Sequence, residues 1–197
     1  MKIKLHRFLL PVFVLLMFSA RQNFLNAQAQ LVLGVTATYM NISGGTAGTP
    51  IYLVVGNPAS AAIIRTNGHI ISEGEYNYVK WLSTTPVSYT IPFGYSTTAY
   101  LPFTFNKSAG AASDLMVSSW ASATNNITWA AGVANMYDQS YLGDGSVQAV
   151  IDRWWTISDV PAVSTAILTF SYRGGPLGEN TTDGSLGGPG GMFGAQR

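Results

Sequence analysis

The stretch "AAIIRTNGHIISEGEYNYVKWL", Ala61 to Leu82, can be parsed either as strands and turns or as a catalytic segment. It holds His69, the only histidine outside the first seven residues, and two glutamates, Glu73 and Glu75, separated by one glycine. Asn67-Gly68 between two apolar runs is a strong short signal for a two-residue hairpin, because a type I′ turn needs φ > 0 at both central residues. Ala61 to Thr66 and His69 to Ser72 are therefore expected to pair across it, with "SEGE" as a solvated turn before a further strand.

The catalytic parsing is weaker. If 69–81 were a single strand, Glu73 and Glu75 would share one face with Cα atoms about 6.6 Å apart. Glycoside hydrolysis needs two carboxyls about 5–9.5 Å apart that flank the bond from different sides. Neighbours on one strand project together, and Gly74 between them marks a turn or bulge. His69 has no G-x-S-x-G serine to activate and reads as a structural or surface residue. The chain has no cysteine, so a disulfide framework, thiol chemistry and the usual His/Cys zinc sites are excluded. Asp138 and Asp144-Gly145 lack the spacing of an EF-hand loop. No catalytic residue, metal ligand or cofactor is expected.

Outward from this stretch, short alternating or apolar runs recur between Gly, Pro and Asn turns. Examples are "IYLVVGN", "VSYTIPFG", "AYLPFTFN", "DLMVSSW", "QAVIDRWWTI" and "VSTAILTFSYR". No window carries a sustained helical stripe. Nine or ten such strands predict an all-β fold, an antiparallel β-sandwich of jelly-roll or Ig-like type. The Gly-rich part up to about Leu82 has an alternative parsing as a small separate sheet or a β-helix-like cap. The expected organisation is 1–29 signal peptide, 30–82 N-terminal β segment, 83–173 sandwich body and 174–197 Gly-rich flexible tail, cut inside a larger protein.

The signal peptide rests on Lys2, Lys4 and Arg7, an apolar run of about eleven residues from Phe8 to Phe18, and Ala27-Gln28-Ala29 at the cut. The apolar run is too short to span a bilayer as a helix, which takes roughly twenty residues. Cleavage is expected after Ala27 or Ala29, with no membrane span afterwards. Of the ten Lys and Arg residues, Lys2, Lys4, Arg7 and Arg21 leave with the signal. The remaining six face nine acidic residues, a net charge of about −3, which excludes a basic nucleic-acid footprint.

The aromatic residues are the candidate binding groups. Trp120, Trp129 and Tyr137 lie in or beside the long stretch from Ala121 to Ser146, and Trp154 is on a strand where it alternates with Trp155. In a regular strand one of these two tryptophans must face away from the core. Such rings serve a sugar-binding surface or pack as ordinary core. "VSTAILTFSYR" carries no charge before Arg173, so at an open sheet edge it would template pairing with another chain.

The order "GHIISEGEYNYVKW", "IPFGYSTTAYLPFTF", "VIDRWWTI" and "LTFSYRGGPLGEN", across roughly Tyr52 to Arg197, resembles repeated β-rich segments of large secreted and surface proteins of Bacteroidetes. Those proteins are usually exported by the type IX secretion system and carry a separate sorting domain, which has no counterpart in these motifs. The resemblance implies an exported, non-catalytic structural or adhesive module. It would sit at the cell surface or outside the cell if a sorting domain accompanies it, and otherwise in the periplasm. Its partners would be surface polysaccharide or other surface proteins. The alternatives are a carbohydrate-binding module using exposed aromatics and, third, a glycoside hydrolase fragment.

Overall fold

The computed structural model describes residues 29–34, 39–97, 99–121, 128–133 and 153–172. The expected signal segment up to Gln28, Tyr137, Asp138, Asp144 and the expected tail lie outside the described residues. Those described contain strands and no helix, in four sheets of which none closes into a barrel, so the all-β expectation holds. None of them forms a helix long and apolar enough to cross a membrane.

The first half is a coil laid over a coil. β1 (Leu31–Leu33), β2 (Tyr39–Asn41) and β3 (Ile51–Val55) are followed by β4 (Ile63–Arg65), β5 (His69–Ile71) and β6 (Asn77–Ser83). Each strand of the second set pairs in parallel with its counterpart in the first: β1 with β4, β2 with β5, β3 with β6. A repeat of about 30 residues stacked on itself is the arrangement of a solenoid. The Gly-rich part up to about Leu82 thus contains the parallel pairings β1-β4, β2-β5 and β3-β6.

The hairpin expected at Asn67-Gly68 is not formed. β4 and β5 lie in different sheets. The amides that a hairpin would recruit are already engaged by the first coil: Thr66 N donates to Leu33 O at 3.0 Å and Asn67 N to Gly34 O at 3.2 Å. The local turn preference of Asn-Gly is therefore used as a coil corner.

The second half is antiparallel. β7 (Ser88–Ile91), β9 (Phe103–Ala109) and β12 (Thr165–Thr169) form a three-stranded sheet in the order β12-β9-β7. The two-residue β8 (Phe93–Gly94) instead returns to the coil and pairs in parallel with β5. β10 (Ser113–Ala121) pairs with β6 on one side and β11 (Arg153–Val160) on the other, giving the order β11-β10-β6-β3. The expectation of a purely antiparallel fold is corrected here, because β6 is parallel to β3 and antiparallel to β10. β6 belongs to the coil and to the antiparallel half at once.

The core follows from alternation along these strands. Asn77, Val79, Trp81 and Ser83 of β6 are buried while the residues between them are half-exposed, and β10 buries Ser113, Leu115, Val117 and Ser119. Of these, Val79, Trp81, Leu115 and Val117 join Leu33, Ile42, Val55, Ile63 and Ile70 of the coils and Tyr89, Ile91, Phe103 and Phe105 of the β12-β9-β7 sheet in one apolar cluster. Trp81 meets Tyr89 edge-on with ring centroids 5.3 Å apart. The Tyr89 hydroxyl accepts from the amides of Thr84 and Thr85, which pins the β6–β7 connection to the core. Between β9 and β10 the chain crosses from one sheet to the other at Gly110, whose φ of 112° only glycine adopts cheaply.

Candidate functional site

Four groups of polar or aromatic side chains could carry chemistry, and each is built from the strands that hold it. The first is His69, at the start of β5. It is buried, with its ring tilted against Tyr39 at a centroid distance of 4.6 Å. Its Nε2 hydrogen-bonds the Ser96 carbonyl, and since a carbonyl only accepts, Nε2 carries the proton. The ring fits because residue 94 is glycine: a Cβ there would overlap the imidazole and the Ala99 carbonyl. His69 is thus a buried residue and not the surface residue that was one of the two expectations.

The second group is the turn between β5 and β6. It is not simply solvated. Ser72 and Asn77 close it with two reciprocal bonds: Ser72 Oγ donates to Asn77 O at 2.7 Å and Asn77 Nδ2 to Ser72 O at 2.8 Å. Asn77 Oδ1 also accepts from Gly45 N at 2.9 Å, which ties the turn to the first coil. Glu73 adopts a φ of 27°, rare for a residue with a Cβ. Its Oε1 accepts from Nη1 and Nη2 of Arg153, both at 3.1 Å, and its Oε2 from Ala121 N at 2.9 Å. Arg153 is almost wholly buried, its side chain 1% exposed, and also donates to Ser119 Oγ at 3.0 Å. Glu75 Oε1 accepts from Ala131 N at 2.7 Å. The two carboxylates thus anchor the far ends of β10 and β11 and the 128–133 segment.

The third group surrounds Lys107 of β9, which no sequence motif marks. Its ammonium is buried and donates to Ala111 O at 2.6 Å, Ser83 O at 3.1 Å and Ser83 Oγ at 3.4 Å, with Ser113 Oγ at 3.5 Å. These partners belong to β6, the crossover and β10, so the lysine joins the three-stranded sheet to the four-stranded one. Ser113 Oγ in turn meets Ser164 Oγ at 3.2 Å. All these oxygens are neutral, so the charge is solvated by dipoles in place of water.

The fourth group is aromatic. Trp120 and Trp154 face each other in the β10–β11 register and stack at 6.4 Å with an interplanar angle of 20°. They lie on the outer face of the four-stranded sheet. Trp155 points the other way and packs on Phe170, with centroids 5.1 Å apart, so the alternation of the two tryptophans is as expected. Trp129 is half-buried in the 128–133 segment, and Tyr137 lies outside the described residues. A second stacked pair on the same outer face, Tyr52 of β3 over Tyr78 of β6, has centroids 5.6 Å apart at 19° and was not singled out from the sequence. Its only sequence signal is that both tyrosines occupy the second position of equivalent strands in successive coils. Burial, with the Glu75 charge second, pushes the Tyr78 hydroxyl above the usual tyrosine value.

Among the described residues no cluster of three or more His, Cys, Asp or Glu could hold a metal ion. Comparison with known proteins finds no family model, curated protein or solved structure similar to this chain.

Proposed function

We propose that the chain is an exported structural or adhesive β module that acts at the cell surface and has no catalytic activity of its own. The observation that carries this is the use of its ionic side chains. Arg153 and Glu73 join β11 to the β5–β6 turn, Glu75 holds the 128–133 segment, and Lys107 ties the β12-β9-β7 sheet to the four-stranded one. Such links favour rigidity, and the Glu73 oxygens that a hydrolase would need are already occupied by three N–H donors. The finer architecture we infer is a small sandwich, with β11-β10-β6-β3 and β12-β9-β7 as its layers and the parallel coils at one end. The contacts of Trp81 with Tyr89 and of Trp155 with Phe170 between the two layers support it. The test is retention of the purified chain on surfaces coated with envelope polysaccharide or envelope protein, run beside glycoside and ester substrates. Hydrolysis that Glu73→Gln abolishes without lowering the melting temperature would sink the proposal.

A carbohydrate-binding module is the second proposal, and the outer face of the four-stranded sheet favours it. Tyr52, Tyr78, Trp120 and Trp154 share that face with Lys80 and Asp114, which pair at 2.8 Å. Aromatic rings beside polar groups are the chemistry that holds a pyranose ring. Against it, each stacked pair hides one ring face of each member. Affinity electrophoresis in polysaccharide gels decides: Tyr52→Ala and Trp120→Ala should each abolish retardation if sugars bind here.

A further inference from the structure

We propose that β3 is a self-pairing edge, through which two copies of this chain join their four-stranded sheets about a two-fold axis at Leu53. Among the described residues β3 ends its sheet and pairs only with β6. Ile51 N donates to Tyr76 O at 2.9 Å, so Ile51, Leu53 and Val55 direct their backbone groups to β6. Tyr52 and Val54, which alternate with them, turn their N–H and C=O groups outward. Sheet edges are ordinarily protected by charge, proline, a bulge or a cover. "IYLVV" has no charge and no proline, and its pairing with β6 runs without a register shift. Ile51, Tyr52 and Val54 are 40%, 44% and 64% exposed.

The occupant follows from the chemistry of the edge. An uncharged strand can meet a copy of itself without like charges coming together. With Leu53 opposite Leu53 of the second copy, Tyr52 lies opposite Val54 in both halves. Each such pair exchanges two N–H···O bonds and places an aromatic ring beside a β-branched side chain, a favoured cross-strand combination. Head-to-tail stacking of the coils is blocked, because the far edge of β6 is already taken by β10. Among the described residues the other edge strands fit less well: β1, β2 and β4 have three residues each and β8 has two. β11 carries Arg153 and Asp159, β7 turns only Ser88 and Thr90 outward, and β12 has a register shift between Thr165 and Ala166. The apolar groove between β1 and β3, lined by Gln30, Leu31, Leu53 and Val54, opens at this same end.

The test uses the 197-residue chain and the fact that it contains no cysteine. Sedimentation velocity over a range of concentrations should show a monomer–dimer equilibrium. Val54→Lys should weaken the dimer about tenfold or more, from two lost cross-strand pairs and a buried ammonium. Ile167→Lys, on β12, should leave it unchanged. In the proposed register the two Leu53 Cα atoms lie about 4.5 Å apart. That is within the roughly 4.4–6.8 Å a disulfide spans, so Leu53→Cys should oxidise to a covalent dimer. Val54→Cys alone should not, because its partner across the axis is Tyr52. If Leu53→Cys folds poorly, the double variant Tyr52→Cys/Val54→Cys gives the same readout from exposed positions. A monomer at all concentrations, a dimer insensitive to Val54→Lys, or a dimer lost with Ile167→Lys would each overturn the proposal.

Discussion

Replacing Glu73 by Gln tests one of the links between the two halves of the fold. The substitution keeps the shape of the side chain and one carbonyl oxygen but removes the charge opposite Arg153. The Arg153 side chain is 1% exposed, so its guanidinium is left buried beside a neutral amide. Breaking a buried pair by removing one partner costs about 3–5 kcal/mol. The Glu73 side chain is 23% exposed, so water already screens part of the interaction and the expected loss is smaller, about 2–4 kcal/mol. For a chain of this size that is a fall in melting temperature of roughly 4–16 °C. Urea unfolding followed by tryptophan fluorescence measures it directly, because Trp154 and Trp155 adjoin Arg153. Arg153→Met should be costly too, since it removes the guanidinium that donates to Glu73 Oε1 and Ser119 Oγ. The double variant should lose less than the sum of the two. If Glu73→Gln melts within about 1 °C of the parent, or if the two changes simply add, the link is not what holds β11 to the turn.

Three further outcomes follow from the packing. Gly94→Ala should destabilise by about 1–3 kcal/mol, because the new methyl meets the His69 ring and the Ala99 carbonyl; adding His69→Ala should recover only part of it in thermal melts. Tyr89→Phe should cost about 1–2 kcal/mol in urea unfolding, since the amides of Thr84 and Thr85 lose their shared acceptor. The alkaline limb concerns Tyr78 and Tyr100, whose hydroxyls are both raised above 10.0, chiefly by burial, with the Arg65 guanidinium partly opposing the rise at Tyr100. A pKa higher in the folded than in the unfolded state gives stability that is complete below the unfolded value and is lost as pH climbs through the folded one. Unfolding free energy should therefore fall above pH 10.0, and Tyr78→Phe/Tyr100→Phe should flatten that fall.

Much of the strand content was legible because alternation is local. The β6 sequence "NYVKWLS" announces a half-buried strand by itself, and so does the Trp154-Trp155 step, whose two rings must part to opposite faces. The absence of cysteine and the sparseness of charge likewise constrain chemistry without any coordinates. What the sequence could not decide was which edges meet. "TNG" has the composition of a hairpin turn, yet its amides bond Leu33 and Gly34 in the preceding coil, and only long-range pairing makes β4 and β5 parallel neighbours of β1 and β2. The same holds for the polar links. Glu73 and Arg153 lie 80 residues apart in the chain, and Lys107 finds its oxygens on three separate segments. A short strand carries its own periodicity, but the free energy that selects its partner comes from burial and hydrogen bonds made with distant residues, so the coil, the buried ions and the open β3 edge exist only in the folded chain.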